Sequence, residues 1–262
     1  MIRSLNTAAT GMVVQQRNLD VIANNLANIN TTAFKANRAE FQDLYYENLR
    51  VAGADIGGGT QNPGPTQVGL GARFSANASN FGQGALQATS NPLDVTVNGA
   101  GFFSVNLPDG TVGYTRDGSF TTNSAGTIVT SSGYPLASNI QIPSDATSIS
   151  ISENGTVSAQ LAGQQEPQVL GQILVYTFPN QVGLTRQGSN IFKPTQASGD
   201  ANETEPGTNG SGTLLQGFLE GSNVEMVQEM VKMILAQRAY EVNSKAIQTS
   251  DDMLSVTNQL KR

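Results

Sequence analysis

The stretch that decides the fold is the C-terminal segment 223–262, NVEMVQEMVKMILAQRAYEVNSKAIQTSDDMLSVTNQLKR, which contains no glycine or proline. Its apolar residues recur at steps of three or four, and Thr249 is the only polar residue in that row. This spacing predicts a single amphipathic helix about 55 Å long. The row consists of Val224, Val227, Val231, Leu235, Ala239, Val242, Ala246, Thr249, Met253, Val256 and Leu260.

The start of this helix and a second apolar row add detail to the prediction. Ser222 and Glu225 have capping-box spacing, with Ser222 as the N-cap residue and Glu225 at the third helical position. A helix that is apolar on two sides favours contact with more than one partner helix. The second row consists of Met226, Met230, Met233, Ile234, Ile247 and Leu254.

The first segment, 1–30, has the same periodicity. An apolar seam repeats at alternating steps of four and three over about four heptads, which predicts a second long helix. The asparagine-rich stretch 24–30 and Thr31 read as its end. The two stripes can bury each other as a pair within the chain or pack against other copies, and the pattern leaves both open. The predicted seam contains Leu5, Met12, Leu19, Ile22, Leu26 and Ile29.

Between the helices the periodicity changes to short strands separated by glycine and asparagine turns. Strands are predicted at 99–107, 111–116, 119–122, 127–130, 148–152, 156–160 and 172–178, which is typical of a small antiparallel barrel or sandwich. Gly/Pro-rich stretches at 51–71 and 196–212 read as flexible or extended linkers. The predicted class is therefore α+β, with a coiled-coil-like pair of terminal helices and a central, mainly antiparallel β domain. The predicted parts are 1–30, a connecting region 31–73, a β domain 74–219 and the helix 220–262.

Composition excludes most enzymatic chemistry. The chain has no His, Cys or Trp, which removes imidazole-dependent nucleophiles, disulfides and Cys/His zinc sites. Its formal net charge of −6 disfavours nucleic acid. Asp251-Asp252 reads as a solvated helix face, and no glycine loop has phosphate-binding spacing. We therefore predict no catalytic, cofactor or metal site, no membrane span and no cleavable signal peptide. A two-carboxylate glycan hydrolase remains an alternative.

Six blocks spread along the chain resemble the rod and hook family, the axial proteins of the bacterial flagellum. They are 23–28 followed by Phe34-Lys35, then 99–103, 114–120, 217–224 and 237–245. The resemblance covers nearly the whole chain. The motif residues that carry it at the two ends are Asn24, Asn25, Leu26, Asn28, Phe34, Lys35, Gln237, Arg238, Ala239, Tyr240, Asn243, Ser244 and Lys245.

The resemblance implies a structural subunit, without enzymatic activity, that polymerises into the straight hollow distal rod of the basal body. The stretch 51–71 looks like an insertion typical of distal rod proteins. The resemblance therefore favours a distal rod subunit over a proximal rod or hook subunit. Implied partners are further copies, neighbouring rod and hook proteins, and the ring bushing proteins of the envelope. The helix seams would supply the packing between subunits. A β binding or adhesive module on a coiled-coil stalk is the alternative from another class.

Overall fold

A computed structural model describes residues 2–53, 63–163 and 166–260 of the chain. It contains two compact units, and each draws on separate parts of the sequence. The first unit comprises Met1–Ala27, Asn37–Ala78 and Glu225–Arg262, and the second comprises Asn28–Ala36 and Ser79–Val224. The α+β class is confirmed, and strands of the second unit pair antiparallel.

Two long helices dominate the first unit. Helix α1 (Ile2–Ala27) runs antiparallel to helix α2 (Met226–Leu260). The hydroxyl oxygens of Ser4 and Ser250 lie 3.5 Å apart near one end of the pair, and Asn25 binds Glu229 near the other. The helices approach closely between these points. A Cβ atom added at Gly11 would lie only 2.9 Å from Asn243 Nδ2. The helices therefore pair within the chain, while coiled-coil geometry stays a prediction.

The predicted capping box at Ser222 and Glu225 is wrong, because α2 begins only at Met226. Asn223 makes contacts in the second unit that hold this stretch out of helical geometry. Its backbone N–H donates to Phe34 O at 3.2 Å, and its side-chain oxygen accepts from Ala36 N at 2.7 Å. Its amide nitrogen donates to Asn80 O and to Gly82 O, each at 2.9 Å. Tertiary hydrogen bonds thus override the local capping signal.

The described residues of the first unit also form four strands, β1 (Asn37–Asp43), β2 (Tyr46–Arg50), β3 (Thr66–Gly69) and β4 (Ala72–Ser79). β1 pairs with β4, and β2 pairs antiparallel with β3. Part of the stretch 51–71, predicted as a flexible or extended linker, is therefore the second strand of a hairpin. Residues 54–62 of that stretch lie outside the described residues.

Short strands make up the second unit. The strands are β5 (Leu86–Ala88), β6 (Val95–Asn98), β7 (Phe103–Asn106), β8 (Val112–Thr115), β9 (Phe120–Thr122), β10 (Ile128–Thr130), β11 (Ala146–Ile151), β12 (Thr156–Leu161), β13 (Gln168–Gln172), β14 (Val175–Thr177), β15 (Thr185–Gly188), β16 (Ile191–Lys193), β17 (Asn202–Thr204), β18 (Thr213–Gln216) and β19 (Phe218–Glu220). A four-stranded sheet has the order β15-β16-β8-β7, and β11-β12-β13 forms a three-stranded sheet. Further pairs are β9 with β10, β14 with β17, β18 with β6 and β19 with β5.

The predicted strands around 99–130 are confirmed, and they build the core. β7 pairs with β8 as the expected hairpin, and β9 pairs with β10. Successive side chains of a strand point to opposite faces. Phe103 accordingly joins an aliphatic core with Val95 and Val105, whereas Phe102 joins an aromatic cluster with Phe192. One adjacent pair of phenylalanines therefore anchors both clusters.

The stretch 196–212 is not the linker that its composition predicts. It lies inside the second unit, where Ser198 is buried and β17 pairs with β14. Ser211 donates a hydrogen bond to Glu205 O at 2.9 Å. Local side-chain to backbone bonds and one strand pairing therefore give this polar, Gly-rich segment a defined course, which composition alone cannot reveal.

Replacing Gly118 with alanine is expected to lower the free energy of unfolding of the second unit by about 3 kcal/mol. A Cβ at this position would lie 1.5 Å from Val95 O and 2.7 Å from Val95 C, and backbone atoms of a buried strand cannot move aside cheaply. Urea unfolding followed by circular dichroism measures the change. Ser132→Ala is the control, because Ser132 is exposed in a turn of the same unit. Equal midpoints for the two variants would contradict the expected backbone clash.

Candidate functional site

The first candidate surface lies on α2. The residues of α2 that face inward are buried or half-buried and recur at steps of three, four or seven. Three of them contact α1 directly: Glu229 binds Asn25, Asn243 lies against Gly11, and Ser250 lies beside Ser4. The inner row is Glu229, Met233, Ala236, Asn243, Ile247, Ser250 and Leu254.

The predicted seam of α2 points away from this inner row. Two of its members do not share this orientation, because Val224 precedes α2 and is buried and Ala239 is half-buried. Six other members are 51–69% exposed, and three residues of the predicted second row are 50–56% exposed. At about 100° per residue these positions centre on the side of the helix opposite the inner row. We call this set the outer face. It consists of Val227, Val231, Leu235, Val242, Met253 and Val256, with Met226, Met230 and Ile234.

The seam predicted on α1 agrees better with the structure. Ile22 is buried, and Leu5, Met12, Leu19 and Leu26 are half-buried. Sequence reasoning missed Val14, which is buried although it lies outside the seam register. Ile29 falls beyond the end of α1, and the side chain of Leu260 lies outside the described residues. Packing of either seam between subunits stays a prediction.

The asparagine motif at the end of α1 includes a buried polar clamp. Asn25 is 1% exposed, and its amide nitrogen donates to Asn37 O at 2.8 Å and to Glu229 Oε2 at 3.1 Å. Its side-chain oxygen accepts from Asn37 N at 2.8 Å. The same amide thus joins α1, β1 and α2. Asn28 accepts from Thr31 Oγ1 at 3.1 Å in the turn that follows, and Asn24 is exposed.

Replacing Asn25 with aspartate is expected to lower the free energy of unfolding of the first unit by about 2–3 kcal/mol at pH 7. The change removes two donated hydrogen bonds and brings a second carboxylate beside Glu229. Burial and a like charge raise the folded-state pKa of the new group. The charge-dependent destabilisation is therefore fully present above that raised pKa, shrinks as the pH falls from there toward the unfolded pKa of about 4, and is lost below it.

Urea midpoints measured from pH 3 to pH 8 test this dependence. Asn6→Asp is the control, because Asn6 is exposed on the same helix. If the urea midpoints of Asn25→Asp and the parent chain differ by the same amount at every pH in that range, charge repulsion is not the cause.

The C-terminal motif 237–245 lies on α2 and is mostly exposed. Arg238 Nη1 lies 2.8 Å from Glu241 Oε2 in an exposed i,i+3 ion pair. Gln237, Tyr240 and Lys245 are exposed as well, while Asn243 faces α1. Ala239 and Ser244 are half-buried. Most of this block therefore presents side chains outward, whereas Asn243 lies against α1.

A second candidate site lies in the second unit, where three charged side chains are almost fully buried. Lys35 Nζ lies 2.6 Å from Glu220 Oε1, and Arg116 Nε lies 3.1 Å from Glu220 Oε2. The side chains of Lys35, Arg116 and Glu220 are 1%, 4% and 0% exposed. We call these three residues the ion cluster.

Backbone groups complete the ion cluster. Lys35 Nζ also donates to Gly82 O at 2.9 Å, and Gly84 N donates to Glu220 Oε1 at 2.8 Å. Arg116 Nη1 donates to Gly99 O at 2.7 Å and to Gly101 O at 2.6 Å. Burial lowers the pKa of Lys35, Arg116 beside it lowers that pKa further, and Glu220 opposes both effects. Burial likewise lowers the pKa of Arg116.

The ion cluster joins four of the sequence blocks that carry the family resemblance. Lys35, Arg116 and Glu220 come from three of these blocks, and the Gly99 and Gly101 carbonyls come from a fourth. Positive φ values of 118° and 142° at Gly99 and Gly101 place both carbonyls on one guanidinium nitrogen. The blocks therefore meet in one buried polar network, a role that the sequence did not assign to Arg116 or Glu220.

Among the described residues, no group of three or more Asp or Glu side chains is arranged to hold a metal ion. Neither α1 nor α2 has the length of apolar sequence that crossing a bilayer requires. Asp251 and Asp252 are exposed on α2. The Lys193–Asp109 pair, at 2.7 Å, lies at the surface of the second unit, and its hydrogen bonds hold the pKa of Asp109 below its ordinary value.

Comparison with known families places these features in a class. A model described as "Flagella basal body rod protein" matches residues 5–35, which contain most of α1 and Lys35. A model of the "Flagellar hook protein FlgE/F/G D1 domain" matches 96–159, and one of the "Flagellar basal body rod FlgEFG protein C-terminal" matches 215–260. The fold thus belongs to the class of flagellar rod and hook proteins.

Full-length relatives define the family within that class. The chain is 51% identical to the flagellar basal-body rod protein FlgG of Borreliella burgdorferi, with 100% of both chains covered. It is 46% identical to the FlgG protein of Caulobacter vibrioides, over 99% of this chain and 100% of that one. It is 40% identical to that of Bacillus subtilis, over 100% of both. The chain belongs to the flagellar basal-body rod protein family.

Proposed function

We propose that this chain is a structural, non-enzymatic subunit that polymerises into the straight, hollow distal rod of the bacterial flagellar basal body. The observation that carries the proposal is the outer face of α2, an apolar surface 50–69% exposed along a helix whose inner row already contacts α1. An apolar surface of this length on a rod-family chain supports contact with further copies.

The geometry of such contacts favours a filament. When the outer face of one copy packs against a different surface of the next copy, the contact is heterologous and repeats without closing. A filament of this kind transmits torque through many interfaces, so no single site carries the mechanical load. The enclosed channel would serve for export, and the rod would span the periplasm.

The β2–β3 hairpin supplies a second contact surface in this proposal. Tyr45 is 76% exposed, and Tyr46, Leu49 and Leu70 are also exposed, which is a dense group of large apolar side chains for a two-stranded ribbon. Packing against neighbouring copies would make the inserted stretch 51–71 a stiffening element. Exposed surface of the β strands would face the ring bushing proteins, and neighbouring rod and hook proteins would join the two ends of the polymer.

Electron microscopy of the purified, concentrated chain tests the proposal. Straight hollow tubes are expected. Curved tubes would indicate a hook subunit, and a uniform small oligomer with protease-resistant ends would favour the stalked binding module. If the chain stays monomeric, addition of preformed rod fragments as templates distinguishes slow nucleation from inability to polymerise, and failure to extend them would contradict the proposal.

A further inference from the structure

A cavity of about 210 Å³ opens beside the ion cluster within the second unit. Pockets for drug-sized ligands begin at roughly 300 Å³, so this cavity suits a group of only a few heavy atoms. The rod function gives it no role. It is lined by Phe81, Gln83, Phe102, Arg116, Gln181 and the segment 99–101.

Arg116 brings unused hydrogen-bond donors to this cavity. Its Nη1 donates to the carbonyl oxygens of Gly99 and Gly101, and its Nε lies against Glu220. No hydrogen bond joins Nη2 to any of the described residues. The Arg116 side chain is 4% exposed and lines the cavity, so an acceptor bound there would complete the hydrogen bonding of its two remaining N–H groups.

The charges of the ion cluster indicate what kind of acceptor fits. Lys35 and Arg116 carry two positive charges and Glu220 carries one negative charge, so the buried cluster has one positive charge in excess. Burial opposes an uncompensated charge. A single negative charge in the cavity would balance the cluster, whereas a doubly charged phosphate would exceed it.

We propose that this cavity is a binding site for a carboxylate group. A carboxylate carries one negative charge, and its planar pair of oxygens matches the hydrogen-bonding edge of a guanidinium. Phe81 and Phe102, with ring centroids 5.8 Å apart, provide apolar walls for the attached carbon atoms. The carboxylate comes either from a small free acid or from an Asp or Glu side chain of a second copy.

Acetate is the probe for the free acid. The isotope-labelled chain is titrated with sodium acetate at constant ionic strength, and the amide signals of 99–101 and the Arg116 Nε–H signal are followed by NMR. Saturable shifts confined to these signals are expected, with a dissociation constant on the order of millimolar for so small a ligand. For the second source, protein concentration is varied without acetate, and the same signals are expected to shift if a second copy fills the cavity.

Two variants separate the site from a general salt effect. Ala100→Phe places a ring at the wall of the cavity and is expected to weaken acetate binding at least about tenfold, whereas Ala125→Phe, at an exposed turn, leaves binding unchanged. Gln181→Glu supplies a competing carboxylate and serves as the second test if Ala100→Phe does not fold. Three results would overturn the proposal. The first is that sodium chloride shifts the same signals equally, and the second is that neither Ala100→Phe nor Gln181→Glu changes acetate binding. The third is that the signals respond neither to acetate nor to protein concentration.

Discussion

Replacing Glu220 with glutamine is expected to lower the free energy of unfolding of the second unit by about 3–5 kcal/mol. Glutamine has nearly the same shape, so packing is kept and only the negative charge is lost. Lys35 and Arg116, 1% and 4% exposed, then hold two positive charges without a counter-charge. Oε1 of Glu220 accepts hydrogen bonds from both Lys35 Nζ and Gly84 N. The single amide oxygen of glutamine must therefore take this position to serve both donors.

Urea unfolding is the measurement, followed by tyrosine fluorescence and circular dichroism because the chain has no tryptophan. The two units need not unfold together, so both probes are recorded. Glu153→Gln, an exposed carboxylate in the same unit, is the control and is expected to change stability by less than about 0.5 kcal/mol. The double variant Glu220→Gln with Lys35→Met, which removes one unbalanced charge, is expected to recover part of the loss. No recovery would show that charge is not the cause.

Replacing Leu235 with aspartate is expected to abolish polymerisation and leave the monomer folded. Leu235 is 63% exposed on the outer face, so the new carboxylate meets water in the monomer and loses it only in an interface. Leu19→Asp is expected to act differently. Leu19 is half-buried in the α1 seam, so aspartate there weakens the helix pair itself.

Sedimentation and electron microscopy report assembly, and circular dichroism reports the fold of each variant. Gln248→Asp adds the same charge at an exposed polar position of α2 and is expected to assemble as the parent chain does. Normal tubes from Leu235→Asp would exclude the outer face as an interface. An unfolded Leu235→Asp monomer would show that this residue is needed within the chain.

Much of the fold follows from periodicity. Both helices, the β7–β8 hairpin and the β9–β10 pair were predictable, because their signals lie in adjacent residues. The start of α2 was not, since the residues that hold Asn223 extended are Phe34, Ala36 and Asn80, which are distant in sequence. The predicted domain boundaries near 30, 73 and 219 remain predictions.

The choice of face on α2 could not be made from sequence either. Apolar residues occur around most of this helix, so the predicted seam was the longest apolar row. The inner row instead includes Glu229, Asn243 and Ser250, which are polar. Asn243 lies where the helices approach closely at Gly11, and Glu229 accepts a hydrogen bond from Asn25. The spacing of apolar residues along a helix reveals neither of these contacts. The ion cluster was hidden in the same way, because Lys35, Arg116 and Glu220 lie far apart along the chain.

The pairing of α1 with α2 also bears on the order of events during folding. Asn25 and Glu229 are joined across 204 residues, whereas β7 and β8 are neighbours in sequence. Closing the longer loop costs more entropy, and an isolated helix is marginal in water, so α2 is expected to become rigid after the β strands have formed. Pulse-labelled amide exchange would then protect β7 and β8 before α2. A chain with this order presents its outer face on a stable helix only once the rest has folded, which keeps immature copies out of a growing polymer.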